Sequence, residues 1–390
     1  MKKGFRYFLG CFAALALVIS MAGCGQHNEW PDPESSSVLF YMDANNSLAM
    51  YSYDFMYQIT EGYLPNQNTG KCEVLVYCHM PNAAPKLMKL SRQRNGTGLD
   101  TLLLKLYDAN TNSASVQTLH QVILDAEAVA PAAHHGLVMW SHATGYLPEG
   151  YFINPRESHK SERKTFGSDY NFTEEMDIME MAEALPFHYD FILFDCCLMG
   201  GIEVAYELRD KCDYIVFSPA EVMAKGFPYY VMLEAIWNGE GIEQALRAVC
   251  EEFYSYYSVR DGGTVTLVKT EKLEALANAC RTVFTNHRDE IFSLSFNSIQ
   301  RYFRYNYHWY FDLGDIVEHV ATLEEMAAFQ QALDDVVVYK AATEYFLLYQ
   351  GGFYINKYSG LSSYLPRPEY YYLNNYYYPL AWNQATGLIE

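Results

Sequence analysis

The chain has 390 residues, half of them hydrophobic and 19% charged, which is enough to bury a large core and too apolar for a disordered chain. The formal net charge of −20 repels a phosphate backbone, so nucleic acid is excluded as a partner and cationic peptides are favoured. Nine cysteines without repeated spacing, and no Cys-x-x-Cys pair, exclude a disulfide framework and a zinc site of cysteine and histidine; no metal ligands are assigned from spacing.

Residues 1–23 read as an export leader. Lys2, Lys3 and Arg6 precede an apolar stretch that ends in Met21-Ala22-Gly23 before Cys24. A small pair before a cysteine resembles a bacterial lipobox, which implies cleavage and lipidation at Cys24. The expected location is a bacterial cell envelope, at the outer membrane or cell surface rather than the inner membrane. Residues 24–37, with Pro31, Pro33 and three serines, read as the tether of that anchor. No later apolar run approaches the roughly 18 residues of a membrane-crossing helix, so the mature chain is expected to be anchored to a membrane and not to span it.

Apolar runs at 38–42, 74–78, 137–140, 191–194 and 214–217 read as strands. Helices are expected between them at about 48–58, 115–128, 176–185 and 202–208. Residues 102–106 are apolar but ambiguous. Continuous apolar runs alternating with helices argue for a mostly parallel sheet buried on both faces. Residues 38–260 carry this pattern clearly. Residues 261–390 continue it as a second α/β region packed on the same unit, with a strand at 265–268, helices at 272–287, 311–323 and 323–341, and short strands at 353–354 and 362–365. Thirty-five tyrosines, dense from Tyr302 onward, read as amphipathic rings at a wet surface or core edge, and alternatively as a sugar- or peptide-contacting surface.

Two strands end in reactive groups. The run 137–140 leads into Ser141-His142, and the run 191–194 leads into Asp195-Cys196-Cys197. In an open α/β sheet, ligands gather beyond the carboxyl ends of the strands. If the two strands are neighbours, an imidazole meets a thiol, and a base beside a cysteine makes the thiolate that attacks a carbonyl. The helix expected to open near Gly201 would favour the thiolate further. The plainer reading is a buried cysteine and an ordinary strand-end histidine.

FDCCLMG at 194–200 closely resembles the nucleophile motif of the clostripain family of cysteine peptidases. WSHATG at 140–145 resembles that family's histidine motif. VLFYMDANNSL at 38–48, YIVFSP at 214–219, GFPY at 226–229 and SGLSSYLP at 359–366 are also similar. The resemblance implies a caspase-like three-layer sandwich, with a mostly parallel central sheet between helices. It implies endopeptidase chemistry through a thioester, with Cys197 as nucleophile and His142 as general base. The backbone N–H groups of Cys197 and Ala143 would hold the oxyanion. Asp195 would line the pocket that selects Arg or Lys, with Ser218 and Glu221 as further substrate-binding residues. Two positions depart from the family: Ala143 where glycine is usual, and Cys196 where alanine is usual. Alanine keeps the N–H but does not adopt positive φ cheaply; Cys196, one residue from Cys197 along a strand, is expected to point into the core.

The resemblance implies no required cofactor. Calcium is a candidate regulator, with Asp43, Asn45 and Asn46 as either its ligands or a helix-capping turn. The segment 149–168 carries Arg156, Lys160, Arg163 and Lys164 and reads as a site of activating self-cleavage or as a plain solvated loop. The alternative function is a catalytically silent, peptidase-like surface lipoprotein that binds peptides or glycans.

Overall fold

The computed structural model describes residues 35–61, 64, 72–93, 98–148, 151, 166–169, 176–238, 240–305 and 308–390. The leader, Cys24, most of the tether and the four basic residues of segment 149–168 lie outside the described residues.

The centre is a sheet of nine strands. In chain order, eight of them are β1 (Ser36–Asp43), β2 (Cys72–His79), β3 (Lys86–Arg92), β4 (Leu99–Leu106), β5 (His134–Trp140), β6 (Tyr189–Asp195), β7 (Cys212–Phe217) and β8 (Thr264–Lys269). A two-residue strand, β9 (Phe311–Asp312), lies outside this sheet, and β10 (Val337–Ala342) completes it. The order across the sheet is β10-β8-β7-β6-β5-β1-β2-β3-β4. The five strands from β7 to β2 run parallel, and β3, β4, β8 and β10 add antiparallel edges. The parallel strands are the apolar runs seen in the sequence. Helices cover both faces, and two hydrophobic clusters lie above and below the sheet. This is the expected mostly parallel α/β sandwich.

Several elements differ from the sequence reading. β3 had no counterpart there. Two helices, Tyr229–Asn238 and Ile242–Ser258, pack on the β7–β8 side and were not read. Residues 337–342 were expected to continue a helix, but the helix Leu323–Val336 stops and β10 pairs antiparallel with β8. VVYKAA carries β-branched residues that suit a strand, and the edge of β8 supplies the hydrogen bonds. Among the described residues, no helix is long and apolar enough to cross a membrane.

The tyrosines of the carboxyl region divide between the core and the surface, where Tyr349, Tyr354 and Tyr371 are exposed. Tyr302, Tyr310, Tyr364 and Tyr377 are fully buried, and each hydroxyl has a partner. A buried ring with a satisfied hydroxyl is the low-cost use of tyrosine.

Candidate active site

β5 and β6 are adjacent and parallel, paired from Gly136–Phe191 to Trp140–Asp195. His142 follows β5 and Cys197 follows β6 by two residues each, so both lie at the carboxyl edge where open α/β sheets place their ligands. The strand-neighbour condition is therefore met.

Each loop is pinned to the fold. After β6 the chain turns sharply, with Leu198 at φ +64°, a conformation that costs a residue with a side chain on the order of 1 kcal/mol and that clusters at functional sites. The turn is held by Leu198 N–H to the Ala220 carbonyl (3.0 Å) and Gly200 N–H to the Ser218 carbonyl (2.8 Å). A Cβ at Gly200 would lie 2.3 Å from the Pro219 nitrogen, so only glycine fits there. On the other side, Gly145 at φ +65° lies against the Leu198 carbonyl, which a Cβ would approach to 2.4 Å. Tyr310 donates to the Thr144 carbonyl (2.5 Å) and Tyr146 donates to the Trp309 carbonyl (2.6 Å). Gly167 N–H donates to the His142 carbonyl (3.0 Å). Ala143 is not among the residues with positive φ, so alanine is compatible with this loop.

The reactive groups are engaged within the chain. His142 Nε2 lies 2.9 Å from Ser47 Oγ, and burial lowers the imidazole pKa. Cys197 Sγ donates to the Val222 carbonyl at 3.6 Å. Burial, then the Glu221 carboxylate, pushes the Cys197 thiol up to about 12. Both causes oppose the expected thiolate in this arrangement. The helix Ile202–Glu207 begins beyond the turn, and Glu203 occupies its first turn, so its positive end is already matched by a carboxylate. Cys196 is a free thiol buried in the core and donates to the Met139 carbonyl (3.1 Å), as alternation along β6 requires.

Asp195 is buried. Its Oδ2 accepts from Phe227 N–H (3.0 Å) and from the Tyr229 hydroxyl, and burial outweighs these bonds to push the carboxyl up to about 6. Asp195 and Cys197 thus both touch the stretch from Glu221 to Tyr229. Gly226, at φ +68°, lets that stretch cross directly over Asp195, where a Cβ would come within 2.1 Å of Oδ2. Glu221 accepts from Arg304 Nε with both oxygens (3.0 and 2.8 Å); burial raises its carboxyl and Arg304 offsets part of the rise. Ser218 is fully buried, its hydroxyl shared with the Ala220 carbonyl (3.0 Å) and Thr264 Oγ1 (2.7 Å).

Sequence reasoning missed Arg304, Ser47, Val222 and Tyr229, because contacts across 25 to 95 residues carry no local pattern. The turn after β1 is held by side chains: Asn46 Nδ2 donates to the Asp43 carbonyl (2.9 Å) and Asn46 Oδ1 accepts from Leu48 N–H (2.9 Å). Asn45 Nδ2 instead reaches Asp169 Oδ1 (2.7 Å).

A parallel sheet that ends in histidine and cysteine on adjacent strands, each on a pinned loop, defines a caspase-like cysteine peptidase. The clostripain family model matches residues 40–386, and the chain belongs to that family. It is 33% identical to an inactive zymogen C11 protease from Parabacteroides distasonis, over 90% of this chain and 97% of that one, with a TM-score of 0.77. It is 26% identical to a secreted C11 cysteine protease from Bacteroides thetaiotaomicron, solved with an irreversible peptide inhibitor, over 90% of this chain and 98% of that one, again at 0.77. No curated protein matches the chain. The chain is a cysteine peptidase, and its substrates are peptides or proteins.

Proposed function

We propose that the chain is an endopeptidase that cleaves after Arg or Lys through a Cys197–His142 dyad. The observation that supports this reading is the adjacency of β5 and β6, the two parallel strands that His142 and Cys197 follow. Cys197 Sγ attacks the substrate carbonyl carbon, and its proton passes to His142. His142 then protonates the leaving amine, and water hydrolyses the thioester. The backbone N–H groups of Cys197 and Ala143 hold the oxyanion. Asp195 and Glu221 supply the negative charge of the specificity pocket, and Ser218 braces its wall. That Glu221 already takes a guanidinium with both oxygens supports this preference.

The reaction as proposed needs no cofactor, and calcium is proposed as a regulator only. The chain is further proposed to be lipid-anchored at Cys24 in a bacterial cell envelope; Cys24→Ser should move it to the soluble fraction.

The test is hydrolysis of fluorogenic peptides ending in Arg, Lys, Ala or Asp by the full chain, with and without calcium, beside Cys197→Ala. Cleavage after Arg or Lys that disappears in the variant is expected. Equal cleavage of all four would sink the pocket assignment, and activity surviving in Cys197→Ala would sink the nucleophile.

A second reading, a catalytically silent binder of peptides, is favoured by one observation. His142, Cys197 and Glu221 are each engaged within the chain, on Ser47, Val222 and Arg304. Absence of turnover after limited proteolysis, with retained binding of Arg-containing peptides, would select it.

Arg304 also bears on specificity. The Arg304–Glu221 pair is partly exposed, at 23% and 14% of the two side chains, so it is worth about 1 kcal/mol. An incoming basic side chain competes with it for Glu221. Arg304→Gln should therefore lower KM for Arg and Lys peptides about fivefold and leave Ala peptides unchanged. An equal change for all peptides would instead mark Arg304 as a structural brace.

A further inference from the structure

Beneath the His142 loop, three side chains from separate parts of the chain converge. Asp43 ends β1, His79 ends β2, and Asp169 lies in the segment that pairs with the His142 loop. One candidate ligand atom from each lies within 4.8 Å of the others, and all three residues are buried. The protein already engages both carboxylates. Asp43 Oδ2 accepts from Ser168 N–H (3.1 Å) and the Ser141 hydroxyl (3.3 Å), and Asp169 Oδ1 accepts from Asn45 Nδ2 (2.7 Å). The other Asp43 oxygen, Oδ1, is fully buried with no hydrogen-bond partner. A buried carboxylate oxygen left without a donor is costly, and such groups call for an explanation.

We propose that Asp43, His79 and Asp169 form a binding site for one divalent transition-metal ion of the zinc or manganese class. Charge is the first argument. Burial and the neighbouring Asp169 hold the Asp43 carboxyl well above its ordinary range, so a second negative charge in this cluster is unfavourable unless a cation joins it. A divalent ion with neutral His79 brings the cluster to zero without relying on a buried ion pair. Geometry is the second. His79 Nδ1 lies 3.2 Å from Asp169 Oδ2, which is the spacing of neighbouring ligands around a tetrahedral ion with bonds of ~2.0–2.1 Å. The donor set is the third. Calcium and magnesium prefer all-oxygen cages, whereas imidazole with carboxylates suits zinc and its neighbours. The ion would tie the ends of β1 and β2 to the segment whose Gly167 N–H holds the His142 carbonyl. It is thus a brace behind the catalytic loop and takes no part in bond cleavage.

The test uses the full chain carrying Cys197→Ala, so that the active-site thiol binds nothing. Metal content is measured by mass spectrometry after purification without chelator. The chelator-stripped protein is then titrated with Zn2+, Mn2+ and Ca2+ while unfolding temperature is followed, and with Co2+ while visible absorption is followed. The expected result is one zinc or manganese per chain and a rise in unfolding temperature complete near one equivalent. A visible Co2+ band should appear, and Asp43→Asn should lose all three signals. Asp169→Asn gives the same reading if Asp43→Asn does not fold. Less than one-tenth of an ion per chain with no thermal shift at 1 mM would overturn the site. So would binding of Ca2+ alone, or undiminished binding in either folded variant.

Discussion

His142→Ala is expected to lower kcat by about 10²- to 10⁴-fold with KM little changed, the range for loss of a positioned general acid–base. Burial lowers the imidazole pKa, so His142 is neutral at pH 7 and free to accept a proton. The Cys197 thiol is pushed up to about 12 from an ordinary 9.0, so it too favours the neutral form. Neutral thiol and neutral imidazole mean that proton transfer accompanies attack in this arrangement, with no preformed ion pair. So raised, the thiol supplies little thiolate at neutral pH and reacts more slowly than a free cysteine. Iodoacetamide should therefore label Cys197 slowly in the uncleaved chain, at a rate that climbs with pH and shows no plateau below pH 10. A plateau near pH 7 would mean that the thiolate is already formed, and that the contacts to Val222 and Glu221 do not govern the resting state.

What made this site readable was the parallel sheet. Strands buried on both faces must be continuous apolar runs, so the runs before His142 and Cys197 stood out, and the carboxyl edge supplied the location of the chemistry. The antiparallel edges were harder. β4 exposes Leu102, Leu103 and Leu106 and is a strand because β3 pairs with it, which its own sequence does not announce. β10 continues the apolar pattern of the helix before it, and the change from helix to strand is decided by the open edge of β8. The charge around the thiol was not readable either. Glu221 and Arg304 are 83 residues apart, and the neutral state of Cys197 follows from burial, which no local motif reports. For the same reason, cysteine and histidine spacing excluded a zinc motif but was silent on Asp43, His79 and Asp169, which only the strand order brings together.

Asp195→Asn should stabilise the protein at pH 7 to 8 while removing the proposed preference for basic residues. The Asp195 carboxyl is raised from 3.8 to about 6, chiefly by burial and against the bonds from Phe227 N–H and Tyr229. Between those two values the folded state holds a proton that the unfolded chain releases. Stability therefore falls as pH rises through this window and stays reduced above about pH 6. A rise from 3.8 to about 6 corresponds to about 3 kcal/mol. Asparagine keeps the acceptor for Phe227 and removes the buried charge, so the variant should melt higher than the parent at pH 7.5 and close to it at pH 4. Function should move the other way. If Asp195 receives the substrate guanidinium, the loss of its charge lowers kcat/KM for Arg peptides by about a hundredfold or more and leaves Ala peptides untouched. A carboxylate kept in the core at a cost to stability is what a binding role demands, because a purely structural bridge to Phe227 and Tyr229 is served as well by asparagine. A variant that is more stable and equally selective for Arg would assign specificity to Glu221 alone. A variant that is less stable at pH 7.5 would mean that the ionised carboxylate itself holds the Gly226 turn in place.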